Sequence, residues 1–187
     1  MNTRRAVLLG GAGMVATFSC PELFAAQFMT VEQAQRSLFP SADRFEEQAL
    51  ALTAEQLSTI AKLAGPQPRR GATHVWKAQH AAETLGYFFV DEVIGRQDLI
   101  TYATGIDTQG KLSTIEVLTY RESHGGEIRN AAWRAQFKGR DLSNLRFPTD
   151  IKNIAGATLS SEHVTQGARW LVAMWRVMFA SQAAAQS

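Results

Sequence analysis

Residues 153–161, with the sequence NIAGATLSS, combine small side chains with a run of hydroxyl groups. Because Gly156 and Ala157 carry little side-chain bulk, this stretch can bring its backbone N–H groups close to a phosphate. The apolar spacing that follows predicts a long amphipathic helix over about residues 163–180. The first turn of such a helix adds unpaired N–H donors and the positive end of the helix dipole. The stretch is therefore a candidate anion-binding site.

The hydroxyl groups of this stretch have two interpretations. Thr158 stands where its hydroxyl would contact a bound phosphate or be esterified by it. In the alternative, Ser160 or Ser161 simply caps the helix and no ligand is involved. The stretch alone does not decide between them.

Residues 120–127, with the sequence YRESHGGE, form a second candidate segment at the end of a predicted strand. Charged and hydroxyl side chains beside two consecutive glycines suit a loop that approaches a ligand with its backbone. The alternative is a solvated turn into a helix, with Glu127 favourable near the N-terminus of that helix. Trp133, which follows this loop, is a candidate for lining a ligand.

The rest of the pattern predicts the elements that must position these two segments. Thr30 and Gln33 form a capping box that opens a short helix, which ends before Pro40. Strands joined by short turns imply an antiparallel sheet. The predicted class is α+β, a small antiparallel sheet flanked by helices, with the candidate site at the N-terminus of the C-terminal helix. Further helices are predicted over residues 42–63 and 127–137, and strands over 74–78, 86–95, 99–106 and 111–120.

The first 26 residues are typical of an export signal. Two adjacent arginines, Arg4 and Arg5, precede an apolar run that ends near Phe18. The run is shorter than the ~20 apolar residues that span a bilayer. The arginine pair places the signal in the twin-arginine class, so we expect a periplasmic or otherwise exported protein that folds before export. Cys20 has the alternative interpretation of a lipid-attachment site.

One domain is expected over residues 27–187, with an N-terminal helical segment over about 30–64. The chain has 19 basic and 17 acidic residues, and removal of the predicted signal leaves 17 and 16. This balance argues against nucleic-acid binding. If Cys20 leaves with the signal, cysteine-based metal or haem sites are excluded, and the four scattered histidines form no metal-binding pair. The expected domain has neither the Gly-x-Ser-x-Gly motif of hydrolases nor the glycine-rich motif of dinucleotide-binding folds.

Three segments, in this order, resemble the FMN-binding domain of exported flavoproteins. They are residues 122–125 (ESHG), 136–139 (QFKG) and 156–158 (GAT), and the resemblance extends over about residues 86–171. The family includes subunits of the Rnf and sodium-translocating NADH:quinone reductase complexes, and also stand-alone periplasmic proteins. Its members carry FMN on a threonine through a phosphoester made by a dedicated flavin transferase, and the matching residue is Thr158.

The resemblance implies an exported electron-transfer flavoprotein that carries one FMN. Its implied partners are a flavin transferase and redox proteins, including membrane-bound ones, with neither nucleic acid nor metal. No residue is assigned as an acid, base or nucleophile, so an electron carrier is predicted rather than a self-contained enzyme. The predicted cofactor contacts are Thr158, Ala157, Gly156, Leu159, Ser160, Asn153, Glu122, Gly125 and Gly126.

Two positions depart from the family pattern. Ala155 replaces the usual serine, and the expected acidic residue is matched only by Asp150, two positions farther away, with Lys152 between. Three alternatives therefore stay open. FMN is bound without a covalent bond, or the domain binds no FMN and is a sensory or assembly module, or it is a flavin-dependent reductase with its own substrate.

Overall fold

The computed structural model describes residues 26–66, 70–121 and 126–181. The predicted export signal up to residue 25 and the loop residues 122–125 lie outside these ranges. The elements in chain order are β1 (Ala26–Gln27), α1 (Val31–Leu38), β2 (Arg44–Gln48), α2 (Ala54–Ala64), β3 (Arg70–His80), β4 (Glu83–Ile94), β5 (Leu99–Asp107), β6 (Leu112–Tyr120), a 3-10 turn (Gly126–Arg129), α3 (Ala131–Arg134), a second 3-10 turn (Ala135–Phe137) and α4 (Thr158–Met178).

The strands form one antiparallel sheet in the order β1-β6-β5-β4-β3-β2. With helices packed about it, this sheet confirms the predicted α+β class. One row of paired residues crosses the sheet near its end: Ala26 opposite Tyr120, Tyr120 opposite Ile100, and Ile100 opposite Val93. The loops that follow β4 and β6 both leave the sheet at this end.

Side chains alternate between the two faces of the sheet, as the pleat requires. In β4, Phe89 packs on the face covered by α2 and α4, whereas its neighbour Phe88 packs on the face covered by α1. Helix α4 lies across the first face and buries Val164, Ala168 and Leu171 completely. Among the described residues, no helix has the length and apolar character needed to span a membrane.

The predicted helix over residues 42–63 is wrong in its first half, which forms the edge strand β2. The ring of Phe45 meets the ring of Phe88 edge-on, so the apolar spacing that suggested a helix comes from packing on the α1 side of the sheet. Helix α2 starts only after Thr53, which forms a capping box with Gln56. The N-terminal segment is thus mixed, not wholly helical.

Two further boundaries differ from the prediction. The helix predicted over 127–137 is broken at Asn130, whose side chain caps the short α3 by accepting from the Ala132 N–H. Helix α4 begins at Thr158, five residues earlier than predicted, because Ser160 and Ser161 are buried residues of its first turn. The second half of the candidate phosphate stretch, residues 158–161, therefore lies in the first turn of α4, and residues 153–157 form the turn that leads into it.

Arg169, half-buried in the middle of α4, joins three parts of the fold. Its guanidinium donates to the carbonyl oxygens of Leu63 (3.1 Å), Ala64 (3.2 Å) and Leu142 (2.6 Å). Leu63 and Ala64 are the last residues of α2, whose terminal carbonyls have no partner within the helix. The guanidinium therefore caps α2 and fixes it against α4.

We expect Arg169→Ala to lower the free energy of unfolding by about 2–4 kcal/mol, because hydrogen bonds from a charged donor contribute about 1.5–3 kcal/mol each and are not additive. Urea denaturation followed by circular dichroism measures the change. Arg176, exposed on the same helix, provides the control, since Arg176→Ala should stay within about 0.5 kcal/mol of the wild type. Equal losses in the two variants would contradict the capping role.

Asp141 anchors the loop that follows the 3-10 turn to the β5–β6 hairpin. Its carboxylate pairs with the Lys111 ammonium and accepts from the backbone N–H (2.8 Å) and hydroxyl (2.6 Å) of Ser143. The Lys111 ammonium, followed by the Ser143 donors, holds the pKa of Asp141 well below its usual range. The folded state therefore favours the ionised carboxylate.

This depressed pKa makes the stability dependent on pH. The contribution of Asp141 is fully present above the ordinary aspartate pKa of about 3.9 and is lost as the pH falls further. We expect Asp141→Asn to be less stable than the wild type at neutral pH, with the difference shrinking in acid. Urea midpoints measured across this range test the prediction, with Glu83→Gln, an exposed carboxylate at the start of β4, as the control. A constant difference would contradict it.

Candidate functional site

The N-terminus of α4 is a helix end without a side-chain cap. Ala157 occupies the N-cap position, and no side chain there accepts from the first turn. The first helical hydrogen bond runs from the Ser161 N–H to the Ala157 oxygen (2.9 Å). The preceding N–H groups, at residues 158–160, precede the helical ladder and carry the positive end of the dipole. N–H groups in this position can bind an anion, so the N-terminus of α4 stays a candidate anion site.

Thr158 is the first helical residue and is exposed, as is the adjacent Leu159, which is 44% exposed. Gly156 has a φ of +86°, a conformation that a side chain would strain, so the glycine at this position serves the turn into the helix. Ala157 itself is buried. Of these four predicted contacts, Gly156, Thr158 and Leu159 are exposed, whereas Ala157 is buried and offers only its backbone.

The two serines do not cap the helix. The Ser161 hydroxyl donates back to the Ala157 oxygen (2.8 Å), and the buried Ser160 hydroxyl lies 3.3 Å from the Tyr120 hydroxyl. The cap interpretation is therefore wrong, since both hydroxyls are engaged inside the fold. For Ser160, only its backbone N–H remains as a candidate ligand contact.

Tyr120 connects the two candidate segments. It is the last residue of β6 and, through the Ser160 contact, it fixes the end of the sheet against the first turns of α4. The glycine loop leaves the sheet one residue later, at the exposed Arg121. Glu122 and Gly125 lie outside the described residues, and Gly126 opens the 3-10 turn at the far side of the loop. Sequence reasoning included Tyr120 in the candidate segment but did not predict its contact with α4, which only the structure reveals.

A cavity of about 370 Å³, here called the Trp133 cavity, lies between α3 and the chain that leads into α4. It contains the predicted contact Asn153, whereas Thr158 does not line it. The Ala157 N–H donates to the Ile154 oxygen (3.0 Å), so one turn joins the cavity wall to the start of α4. Its lining residues are Glu127, Asn130, Ala132, Trp133, Gln136, Asn153 and Ile154.

The backbone of Lys152 ties the two walls of this cavity together. Its carbonyl accepts from the Trp133 indole N–H (2.9 Å), and its N–H donates to the Gln136 side-chain oxygen (2.8 Å). The Trp133 ring is further held edge-on against Phe137, with the ring centroids 5.1 Å apart. Trp133, a candidate ligand contact from the sequence, therefore lines a cavity in a fixed orientation.

Asp150, the nearest match to the acidic residue of the family pattern, has its carboxylate bound locally. It accepts from the backbone N–H (2.9 Å) and side-chain Nε (3.1 Å) of Arg146. These hydrogen bonds from Arg146 hold the pKa of Asp150 below its usual range. Ala155, the other departure from the family pattern, is exposed in the turn before Gly156.

A second cavity, of about 290 Å³, lies at the opposite end of α4, between Leu142, Trp175 and Ala180. Its lining has one cation, Arg176, and one carboxylate, Asp141, and the C-terminal end of a helix carries the negative end of the dipole, so it suits a phosphate less well than the N-terminus does. Within the described ranges, no group of three or more His, Cys, Asp or Glu side chains is placed to hold a metal ion. The N-terminus of α4 is thus the better anion site.

The α+β domain combines an uncapped helix N-terminus and an exposed threonine with a cavity lined by amides. These features suit a ligand that has both a phosphate and an aromatic ring. Residues 95–172 match the model of the FMN-binding domain family, and this match indicates FMN as the cofactor. The match runs from the loop before β5 into α4 and includes Thr158. No curated protein matches the chain.

Proposed function

We propose that the protein is an exported electron carrier with one FMN held at the N-terminus of α4 and joined through its phosphate to Thr158. The observation that carries the proposal is the exposure of Thr158 at the first position of an uncapped helix, within the matched domain. Phosphate oxygens accept from the free N–H groups of such a helix end. FMN, when bound, supplies one- and two-electron transfer, and the protein supplies position and electrostatics.

The proposed bond is a phosphoester between Thr158 Oγ1 and the FMN phosphorus. Direct condensation with FMN would have to expel water, so the donor must carry a better leaving group. A flavin dinucleotide meets this need, because its pyrophosphate bond breaks as the Oγ1–phosphorus bond forms and a nucleoside monophosphate leaves. The threonine proton passes to a base of the flavin transferase, which is the partner that this proposal requires.

Ala155 and Asp150 support the main alternative, in which FMN is bound without a covalent bond. Ala155 brings no hydroxyl to the turn, and the Asp150 carboxylate is engaged by Arg146. A transferase that reads a serine and a free acidic residue would recognise this site less well. The uncapped helix end would still bind the phosphate, since its donors belong to the backbone.

Export by the twin-arginine route and redox partners outside the cytoplasm belong to the same proposal. Twin-arginine export carries folded proteins, which suits a domain that holds a cofactor. Support comes from the sequence of the first 26 residues, with its adjacent arginines before a short apolar run. The redox partners, including membrane-bound ones, follow from the electron-carrier role.

The test is to express the full chain together with a flavin transferase, isolate the exported protein and denature it. Flavin absorbance that stays with the polypeptide, and an intact mass increased by one FMN residue, would support the covalent carrier. Flavin that is released on denaturation would reject the covalent bond and support the non-covalent carrier. A colourless protein that takes up no FMN would overturn the carrier and favour the sensory or assembly module.

A further inference from the structure

Two side-chain amides of the Trp133 cavity have orientations fixed by the backbone. Asn130 Oδ1 accepts from the Ala132 N–H (2.8 Å), and Gln136 Oε1 accepts from the Lys152 N–H (2.8 Å). An amide has one acceptor oxygen and one NH2 donor group, so each oxygen is committed and each NH2 group is left. Neither NH2 group has a partner among the described residues. With the exposed Asn153, the cavity offers three amides to a ligand.

The remaining lining supplies apolar surface and one anion. Trp133 and Ile154 give apolar walls, and Glu127 is the one carboxylate among the lining residues. A volume of about 370 Å³ falls within the ~300–1,000 Å³ of small-molecule sites, which combine apolar walls with a few placed polar groups. The cavity therefore suits a flat aromatic ring whose edge accepts several hydrogen bonds and donates one.

The cavity is also within reach of the anion site. Ile154 stands four residues before Thr158, so their Cα atoms are at most ~14 Å apart, and the turn closed by the Ala157 N–H shortens this separation. The five-carbon ribityl arm of FMN separates its phosphate from its ring by a comparable length. A phosphate at the α4 N-terminus and a ring in the Trp133 cavity are thus compatible.

We propose that the Trp133 cavity receives the isoalloxazine ring, with the Asn130 and Gln136 NH2 groups donating to the pyrimidine edge. That edge carries two carbonyl oxygens and one N–H, which the amides and Glu127 complement. Reduction adds negative charge to the same edge, so the two donors favour the reduced flavin and raise the midpoint potential. The inference rests on the proposed function, since it needs FMN anchored at the helix.

Trp133→Phe in the FMN-loaded protein tests the location of the ring. An indole in contact with an excited flavin quenches its fluorescence by electron transfer, so we expect a several-fold rise in flavin fluorescence and lifetime. Trp76→Phe is the matched control, because Trp76 packs on the opposite face of the sheet, and its emission should equal the wild type. Equal emission from all three proteins would overturn the location.

Asn130→Asp and Gln136→Glu test the role of the donors. Each change keeps the oxygen that the backbone N–H needs and replaces the NH2 donor by a second carboxylate oxygen. We expect the equilibrium constant for reduction to fall at least about tenfold in each, a drop of about 30 mV for a two-electron couple. Asn144→Asp is the control with the same charge change, because Asn144 lies in the loop held by Asp141, outside the lining of the cavity.

The outcomes separate this inference from the proposed function. Variants that carry FMN, as intact mass shows, but keep the wild-type potential would overturn the donor role alone. Wild-type protein without any FMN would instead defeat the proposed function. Circular dichroism of each variant before loading identifies a folding defect, and a defective Trp133→Phe would be replaced by Trp133→Leu, because tyrosine would itself quench the flavin by electron transfer.

Discussion

Thr158→Ala is expected to abolish covalent FMN attachment completely, whereas Thr158→Ser should retain it. The alanine variant lacks the only atom that can form the proposed phosphoester, and the serine variant keeps a hydroxyl at the same exposed first position of α4. The fold should tolerate both changes, because substitutions at exposed positions usually alter stability by less than about 0.5 kcal/mol. In-gel flavin fluorescence after denaturation and intact mass measure the attachment.

Ser160→Ala is the matched control for the loss of a hydroxyl in the same turn. The Ser160 hydroxyl is buried beside Tyr120 and should not react, so this variant should load FMN as the wild type does. If the Thr158→Ala variant still carries covalent flavin, another residue must form the linkage. If all variants bind flavin and release it on denaturation, the binding is non-covalent and the phosphoester is ruled out.

Gly167→Ala should destabilise the protein although it improves the helix. In the middle of α4, an added Cβ would lie 2.5 Å from the Tyr102 hydroxyl and 2.8 Å from a Val93 methyl. Alanine gains about 1 kcal/mol of helix propensity, whereas overpacking costs about 1–3 kcal/mol. Tyr102 is fully buried and donates to Asp91 (2.8 Å), so its displacement also disturbs a buried hydrogen bond worth about 1–3 kcal/mol.

The net loss for Gly167→Ala is expected to be about 2–4 kcal/mol, or a fall of about 5–15 °C in melting temperature. Differential scanning calorimetry measures it. Gln166→Ala, an exposed neighbour on the same helix, should leave the melting temperature nearly unchanged. A stabilised Gly167→Ala would mean that α4 moves from the sheet at little cost, and that the contact between Gly167 and Tyr102 does not set their separation.

Much of the fold follows from periodicity along the chain. Strands β3 to β6 were predictable because apolar and aromatic runs are separated by short turns, with alternation along most of β6, and α1 was predictable from the capping box at Thr30. Strand β2 was not, because Phe45 repeats at a helical interval with later apolar residues and only its pairing with β3 decides its conformation. A short edge strand takes its identity from its neighbour rather than from its own residues.

The candidate site was predictable in its backbone and not in its side-chain contacts. Small residues before a helix indicated an anion site, and Thr158 has the exposure that this role needs. The contacts of Tyr120 and Gln136 were not predictable, because each depends on a partner distant in sequence, Ser160 and Lys152. Polar side chains on short, irregular elements have no period, so only tertiary structure assigns their orientation.

The two hydrogen bonds of the Lys152 backbone limit how the walls of the Trp133 cavity move apart. The walls of the Trp133 cavity separate only if the indole and the Gln136 oxygen both release the same peptide segment. The amide proton of Lys152 is held by one of these bonds, so it exchanges with solvent when the walls part. Because release of the Gln136 oxygen alone frees this proton, its exchange rate gives an upper limit on how often the cavity opens, independently of any flavin signal.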